Sequence, residues 1–186
     1  MKQLVLVLTL ALISISAGCH PAAAPIAVSN RPVVINDVRQ PDAPTKPVAE
    51  MTWTGTDGNE QRIGELKDKV LILDFWATYC EPCKDEIPHL NSLQAKYGED
   101  KLRVVGLNVG GDEDRPKIPA FVKQLKVSYA VAFPEDDLLA YVSGDDDRIP
   151  QTAVFDKHGN LVEKFVGFDP TVQSRLDRAV ETAMSR

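Results

Sequence analysis

Two cysteines three residues apart, Cys80 and Cys83, stand in the segment Trp76-Ala77-Thr78-Tyr79-Cys80-Glu81-Pro82-Cys83-Lys84, directly after the apolar run Val70-Leu71-Ile72-Leu73-Asp74-Phe75. At the start of a helix this spacing puts both sulfurs on one face, close enough to bond without distorting the backbone. The free N–H groups and the positive dipole end of such a helix stabilise a thiolate on the first cysteine, and only the thiolate attacks a disulfide. The residues therefore predict a dithiol that cycles between open and closed forms, with Cys80 the nucleophile and Cys83 the resolving thiol. A structural disulfide and a metal site are the alternatives. Composition weighs against both: three cysteines in 186 residues are too few for a stapled scaffold, and His20, His89 and His158 offer no second ligand pair for zinc.

The third cysteine closes a different kind of segment. Met1-Lys2 gives a short positive start, Leu4 to Ile15 is apolar, and Ser16-Ala17-Gly18-Cys19 is a run of small residues ending in cysteine. This is the pattern of a secretion signal over residues 1–18. Its apolar stretch falls short of the roughly 20 residues a membrane-spanning helix needs. The box before Cys19 resembles a bacterial lipoprotein cleavage site, with Ser16 where leucine is usual, and that resemblance implies a lipid anchor on Cys19 in the cell envelope, facing the periplasm. Cleavage nearby, leaving a soluble periplasmic protein with a free thiol, is the alternative. Residues 19–47 then carry Pro21, Pro25, Pro32, Pro41, Pro44 and Pro47 with little periodic apolar pattern, the composition of an extended tether.

One catalytic domain of about 140 residues follows, over 48–186, within the usual size for a single domain and without an internal repeat. Its elements must position the two cysteines. Leu66 to Trp76 contains a fully apolar strand, Glu81 to about Tyr97 reads as a helix with Pro82 in its first turn, and Leu102 to Val109 is a second buried strand. Helices are expected over Ile118 to Lys126, Leu138 to Val142 and about Thr171 to Met184. Gln151 to Phe155 and Leu161 to Val166 flank the turn Asp156-Lys157-His158-Gly159-Asn160, a hairpin signal. Alternation of this kind predicts an α/β sandwich around a mixed sheet.

The ordered pieces Asp74-Phe75-Trp76-Ala77, Cys80-Glu81-Pro82-Cys83 and Ile149-Pro150-Gln151-Thr152 resemble the thioredoxin fold. Together with Glu86-Ile87-Pro88 and Val104-Val105-Gly106-Leu107-Asn108-Val109 they resemble, more narrowly, the TlpA/ResA-type thiol-disulfide oxidoreductases, over roughly Val48 to Arg186. Two departures stand out: Tyr79 occupies a place where tryptophan is most common, and Asp145-Asp146-Asp147 crowds the loop before Pro150. The resemblance implies that Pro150 is a cis-proline facing the disulfide and that Ile149 offers backbone hydrogen bonds to an extended substrate, with Trp76 and Tyr79 also on the substrate side. Pro88 should break the hydrogen-bond ladder of the first helix and kink it.

Asp74 ends an apolar run that must be buried, and an ionised carboxylate is rarely buried without partners or a task. By resemblance it matches the buried aspartate that assists proton transfer at the second cysteine, and Glu86 matches an acid near the cysteine pair. The bland alternatives are an Asp74 that bridges backbone groups and a solvated Glu86.

Redox direction follows from charge. Glu81, Asp85 and Glu86 disfavour a thiolate and favour the disulfide form, which makes the dithiol an electron donor, while Lys84 and the helix dipole act in the opposite sense. The expected activity is thus reduction of protein disulfides with no cofactor beyond the Cys80–Cys83 pair, fed by a membrane electron donor, with cytochrome c maturation as one substrate class the resemblance suggests. A thioredoxin-fold peroxidase and a metallochaperone are the competing classes. A net charge of −6 with no basic stripe argues against nucleic acid and against electrostatic adhesion to anionic lipid, and the clusters Asp112-Glu113-Asp114, Glu135-Asp136-Asp137 and Asp145-Asp146-Asp147 read as solvated loops.

Overall fold

In the computed structural model, residues 46–66 and 68–186 are described, so the signal segment, Cys19 and most of the tether lie outside the described residues. The apolar run becomes strand β3 (Val70–Trp76), buried at every position, because the sheet it centres is covered on both faces. It follows β1 (Thr52–Gly55) and β2 (Glu60–Arg62) and leads through the Ala77–Cys80 turn into helix α1 (Glu81–Tyr97). Then come β4 (Leu102–Asn108), α2 (Ile118–Leu125), β5 (Ala130–Pro134), α3 (Asp136–Ser143), the hairpin β6 (Gln151–Phe155) and β7 (Leu161–Val166), and α4 (Pro170–Ser185). The sheet order is β2-β1-β5-β4-β3-β6-β7, with β3, β4 and β5 parallel and the remaining pairs antiparallel. The mixed α/β sheet expected from the sequence is therefore present, extended by three short strands that the sequence did not announce.

Alternate residues of β3 feed two cores. Ile72 and Trp76 face α1, α2 and α4, packing with Ile87, Leu90 and Phe121, whereas Leu71, Leu73 and Phe75 face α3 and β1 with Trp53 and Leu138. Each large apolar side chain so buried contributes about 1.5–3 kcal/mol of transfer free energy. Asp74 falls on the α1 side by this alternation, opposite Gly106 of β4 and Thr152 of β6.

Helix α1 has the ends read from the sequence because both are locally encoded: Cys80 caps the start, Pro82 lies in the first turn, and Gly98 stops the helix at φ 76°. It continues through Pro88, whose lost donor interrupts the ladder at one place only, and reaches Tyr97. Near its far end Gln94 hooks the helix onto β4, donating to the Leu102 carbonyl at 2.7 Å and accepting from the Val104 amide at 2.8 Å. Those backbone groups lie before the point where β4 begins to pair with β5, so the side chain completes the strand's hydrogen bonding.

Lys46, read as part of the tether, lies 3.0 Å from Glu135 and 3.4 Å from Asp137, and Glu135 also accepts the Thr52 amide at 3.0 Å. Glu135 is thus a joint between the chain entering the domain and β1, and not a freely solvated acid. No helix among the described residues is long and apolar enough to cross a membrane.

Candidate active site

The turn after β3 delivers Cys80 to the cap position just before α1. Its amide donates to the Ala77 carbonyl at 3.1 Å, and its Sγ accepts from the Cys83 amide at 3.2 Å, so the sulfur itself caps the helix. Cys80 and Cys83 are joined as a disulfide with Cα atoms 5.4 Å apart. When the bond opens, an amide donor and the helix dipole already point at Cys80 Sγ, the arrangement that lowers a thiol pKa. Cys80 keeps 6% of its surface exposed and Cys83 only 1%, which orders the two thiols: an incoming disulfide meets Cys80 first.

A buried clamp fixes the same turn. Asp114, 1% exposed, accepts from the Thr78 amide at 2.9 Å and from Asn108 Nδ2 at 2.8 Å, and the Thr78 hydroxyl donates to its other oxygen. Burial alone would raise its pKa, but these donors and the Lys117 charge hold it below the usual carboxylate range. Gly110 is required beside it, since a Cβ there would sit 2.4 Å from Asp114 Oδ2. Asp114 is therefore not part of a solvated acidic loop, as the run Asp112-Glu113-Asp114 suggests; it is an ionised group tying the turn before Cys80 to the end of β4. This also revises the charge argument for redox direction. Glu81 is paired with Lys84 at 2.5 Å, Glu86 is buried and Asp114 lies 3.8 Å from Lys117, so of the acids counted from the sequence Asp85 is the one exposed outside these pairs, early in α1.

The two acids share the α1 side of the sheet. Asp74 reaches from β3 and Glu86 from α1, one turn beyond Cys83, and both are buried. The Tyr129 hydroxyl donates to Asp74 Oδ2 at 3.2 Å and the Thr152 hydroxyl to Glu86 Oε1 at 2.6 Å. Asp74 Oδ1 and Glu86 Oε2 meet no donor. Desolvation pushes the Asp74 pKa up to about 7, with the Tyr129 hydrogen bond acting against it. Glu86 is raised well above the ordinary range, first by burial and then by the Asp74 charge, against the Thr152 hydrogen bond. The charge on one carboxyl opposes ionisation of the other, so the pair keeps a proton beyond the pH at which free carboxyls have lost theirs. The bland reading of Glu86 as a solvated helix residue is excluded by its burial. Gly106 makes room for this arrangement, since a Cβ there would lie 2.8 Å from Trp76 Nε1 and 2.9 Å from Tyr129.

The Ile149–Pro150 bond is cis. Phe75 pairs with Gln151 in the β3–β6 register, which places Pro150 at the end of β3 where the Ala77–Cys80 turn begins. Ile149 and Tyr79 line one groove there, and Tyr79 is 65% exposed. Trp76 differs from the expectation: it is 1% exposed and stacks on Phe121, with ring centroids 4.7 Å apart. Its side chain supports the turn from below and presents no surface to a substrate. Asp146, in the acidic loop before Pro150, is held by Arg148 at 2.6 Å and has its pKa lowered to about 2 by that side-chain hydrogen bond and the Arg148 amide. Among the described residues no three His, Cys, Asp or Glu side chains gather to hold a metal ion.

Sequence reasoning missed Tyr129, Asp114 and the pairing of Thr152 with Glu86. Thr152 stood in a quoted motif, but nothing in the local pattern of Tyr129 or Asp114 marked them, because each acts on a residue more than thirty positions away.

The geometry agrees with comparisons to known proteins. The redoxin family pattern matches residues 40–180. The thiol-disulfide oxidoreductase ResA of Bacillus cereus is 33% identical over 116 residues, which is 61% of this chain and 64% of that protein. ResA of Geobacillus kaustophilus is 28% identical over 120 residues, 63% of this chain and 66% of that one. The chain thus spans somewhat less than two thirds of the length of these curated relatives. Among solved structures, a putative thiol:disulfide interchange protein DsbE from Chlorobium tepidum superposes with a TM-score of 0.63 at 27% identity, covering 73% of this chain and 94% of that one. The chain belongs to the redoxin family and carries the thioredoxin fold.

Proposed function

We propose that this protein is a thiol-disulfide oxidoreductase that reduces disulfides in protein substrates. The observation that carries the reading is a Cys80–Cys83 disulfide whose first sulfur caps a helix that, one turn beyond Cys83, also carries buried Glu86, paired electrostatically with buried Asp74, both carboxyls having raised pKa values. In the reduced protein the Cys80 thiolate attacks one sulfur of a substrate disulfide; an S–S bond forms to Cys80 and the substrate's other sulfur leaves as a thiolate and takes a proton. Cys83 then gives its proton to the Asp74/Glu86 pair and attacks Cys80, closing the Cys80–Cys83 bond and releasing the second substrate thiol. Two electrons pass from the dithiol to the substrate. Exposed Tyr79 and the Ile149 backbone flank the attacked bond. A peroxidase would need no partner cysteine at this spacing, and the closed Cys80–Cys83 pair favours disulfide exchange.

The direction rests on charge. Asp85, exposed early in α1, and Asp114, bonded to Thr78 in the turn before Cys80, oppose the helix dipole's stabilisation of a thiolate, so the couple should lie nearer roughly −270 mV than roughly −120 mV. Equilibration with glutathione or dithiothreitol buffers, read by alkylation and mass, measures it. A value close to −120 mV reverses the assigned direction.

In this reading the protein works in the bacterial cell envelope, its mature chain lipidated on Cys19 and held to the membrane with the domain facing the periplasm, drawing electrons from a membrane donor; cytochrome c maturation is one substrate class open to it. The support is the small-residue box at Ser16 to Cys19 and the proline-rich stretch after it. Intact mass of the mature protein should show a lipidated N-terminal Cys19, and Cys19→Ser should move the domain into soluble extracts with in vitro reduction retained. An unmodified N-terminus elsewhere refutes the anchor.

A further inference from the structure

We infer that the groove between the Tyr79 turn and α3 receives an extended substrate segment with a cationic side chain close to the disulfide that Cys80 attacks; the inference builds on the reductase reading above. The groove has a volume of about 530 Å³. Its apolar walls include Tyr79, which precedes Cys80 in the turn, and Ile149, which precedes the cis-proline, together with Val109 and Leu139. Tyr79 and Val166 are the large hydrophobic side chains exposed among the described residues, and of these Tyr79 sits on the groove. A large exposed side chain beside a reactive bond is surface that a partner can cover.

The outer rim is acidic. Asp136 begins α3 and Asp145, Asp146 and Asp147 follow it, all four lining the groove. Two cations lie nearby. Arg148 is committed to Asp146 through bonds of 2.9 and 2.6 Å and also feels Asp147, and Lys164 donates to the Val142 carbonyl at 2.5 Å while its charge acts on Asp146. Four carboxylates against two cations leave this rim net negative by two. The opposite face of the sheet, under α2, differs: the cleft there is bordered by Lys84 and Lys117, next to Thr78. Those lysines are paired with Glu81 and Asp114, so the uncompensated charge beside the turn carrying Cys80 lies in the acidic groove, and a cationic substrate side chain is directed to the cis-proline side. Each exposed carboxylate contributes little alone, but several along one concave wall act together on the encounter with a charged partner, and salt weakens them.

The test uses the reduced full domain in single turnover, so that the Cys80–Cys83 dithiol is the only reductant. Three ten-residue peptides, each with one internal disulfide, differ only in carrying Lys, Gln or Glu beside the cysteines. The Lys peptide should be reduced about tenfold faster than the Glu peptide at low salt, with the Gln peptide between, and the ratio should fall to about twofold at ~0.5 M salt. In Asp145→Asn/Asp147→Asn the Lys-over-Glu ratio should shrink to about threefold or less, and Asp145→Lys/Asp147→Lys should invert it. Equal rates for the three peptides with the unmodified domain, or a preference unmoved by both double variants, overturn the inference. Hydroxyethyl disulfide, small and uncharged, is reduced in parallel by the unmodified domain: no reaction there sinks the reductase reading itself, while reaction there without charge preference among the peptides sinks the groove assignment alone.

Discussion

Replacing both buried acids, Asp74→Asn with Glu86→Gln, should slow release of the mixed disulfide by about a hundredfold or more, and each single change by about tenfold, the scale of general acid–base assistance. The reason lies in what Cys83 must do. Its burial favours the thiol, yet it attacks only as a thiolate, so a group beside it has to accept the proton. Asp74, brought up to about 7 by desolvation, is matched to that task at neutral pH, and Glu86, raised by burial and by the Asp74 charge, is freed of the second of these in Asp74→Asn and can then partly cover for it. Because the accepting form is the ionised one, release should accelerate as pH rises through about 7, and this inflection should flatten in the double variant. Formation of the mixed disulfide should change much less. Stability should move in the opposite sense to rate. A carboxyl whose folded pKa is raised adds stability below its unfolded pKa and loses it as pH climbs through the folded one. For Asp74 that window runs from 3.8 to about 7, on the order of 4 kcal/mol at most, so Asp74→Asn should raise resistance to denaturant at pH 8. Rapid-mixing kinetics of the double variant with unchanged release across pH 6 to 9 would make the acids structural and remove them from the mechanism.

The second large effect is expected at the cysteines. Cys83→Ser should form the mixed disulfide through Cys80 and then hold it, with release slowed by at least about a thousandfold at millimolar external thiol. Intramolecular attack carries effective molarities of ~10⁵ M and above, which external thiol cannot match. Cys80→Ser should capture nothing, because Cys83 is 1% exposed and Cys80 alone has a helix-start amide directed at its sulfur. Non-reducing electrophoresis and mass spectrometry of cell extracts read both outcomes, and the captured protein names the substrate. Capture by Cys80→Ser through Cys83 would exchange the two roles.

The elements the sequence announced are those whose signals are local. Helix α1 ends where read because its cap, its first-turn proline and its terminal glycine lie within the segment itself. β3 and β4 show as apolar runs, and β6 and β7 as a hairpin joined by a turn in which Asp156 accepts from the His158 and Asn160 amides, both at 2.9 Å. β1, β2 and β5 escaped notice because they are short, partly exposed and paired across the chain: Trp53 lies opposite Pro134, and no window of sequence contains both. The same distinction separates the parts of the site. The cysteine spacing, the aspartate inside an apolar run and the proline after Ile149 could be picked out by residue type and position.

Residue type alone left other matters undecided. That Glu86 is buried depends on how α1 lies on the sheet, and its partner Thr152 arrives from β6, sixty-six residues later. That Trp76 turns under the site depends on Phe121 of α2. That Asp114 is an internal anchor, while Asp112 two positions earlier is 98% exposed and paired with Arg115, depends on the loop after β4 folding over Thr78. The sequence by itself determined the reactive pair, the helix that activates it and the general fold, since these follow from short-range periodicity, capping and spacing. Tertiary structure decided which acids lose their water, which of them keep their charge and which side of the disulfide is negative, because desolvation and Coulomb energy are set by neighbours that only folding brings together.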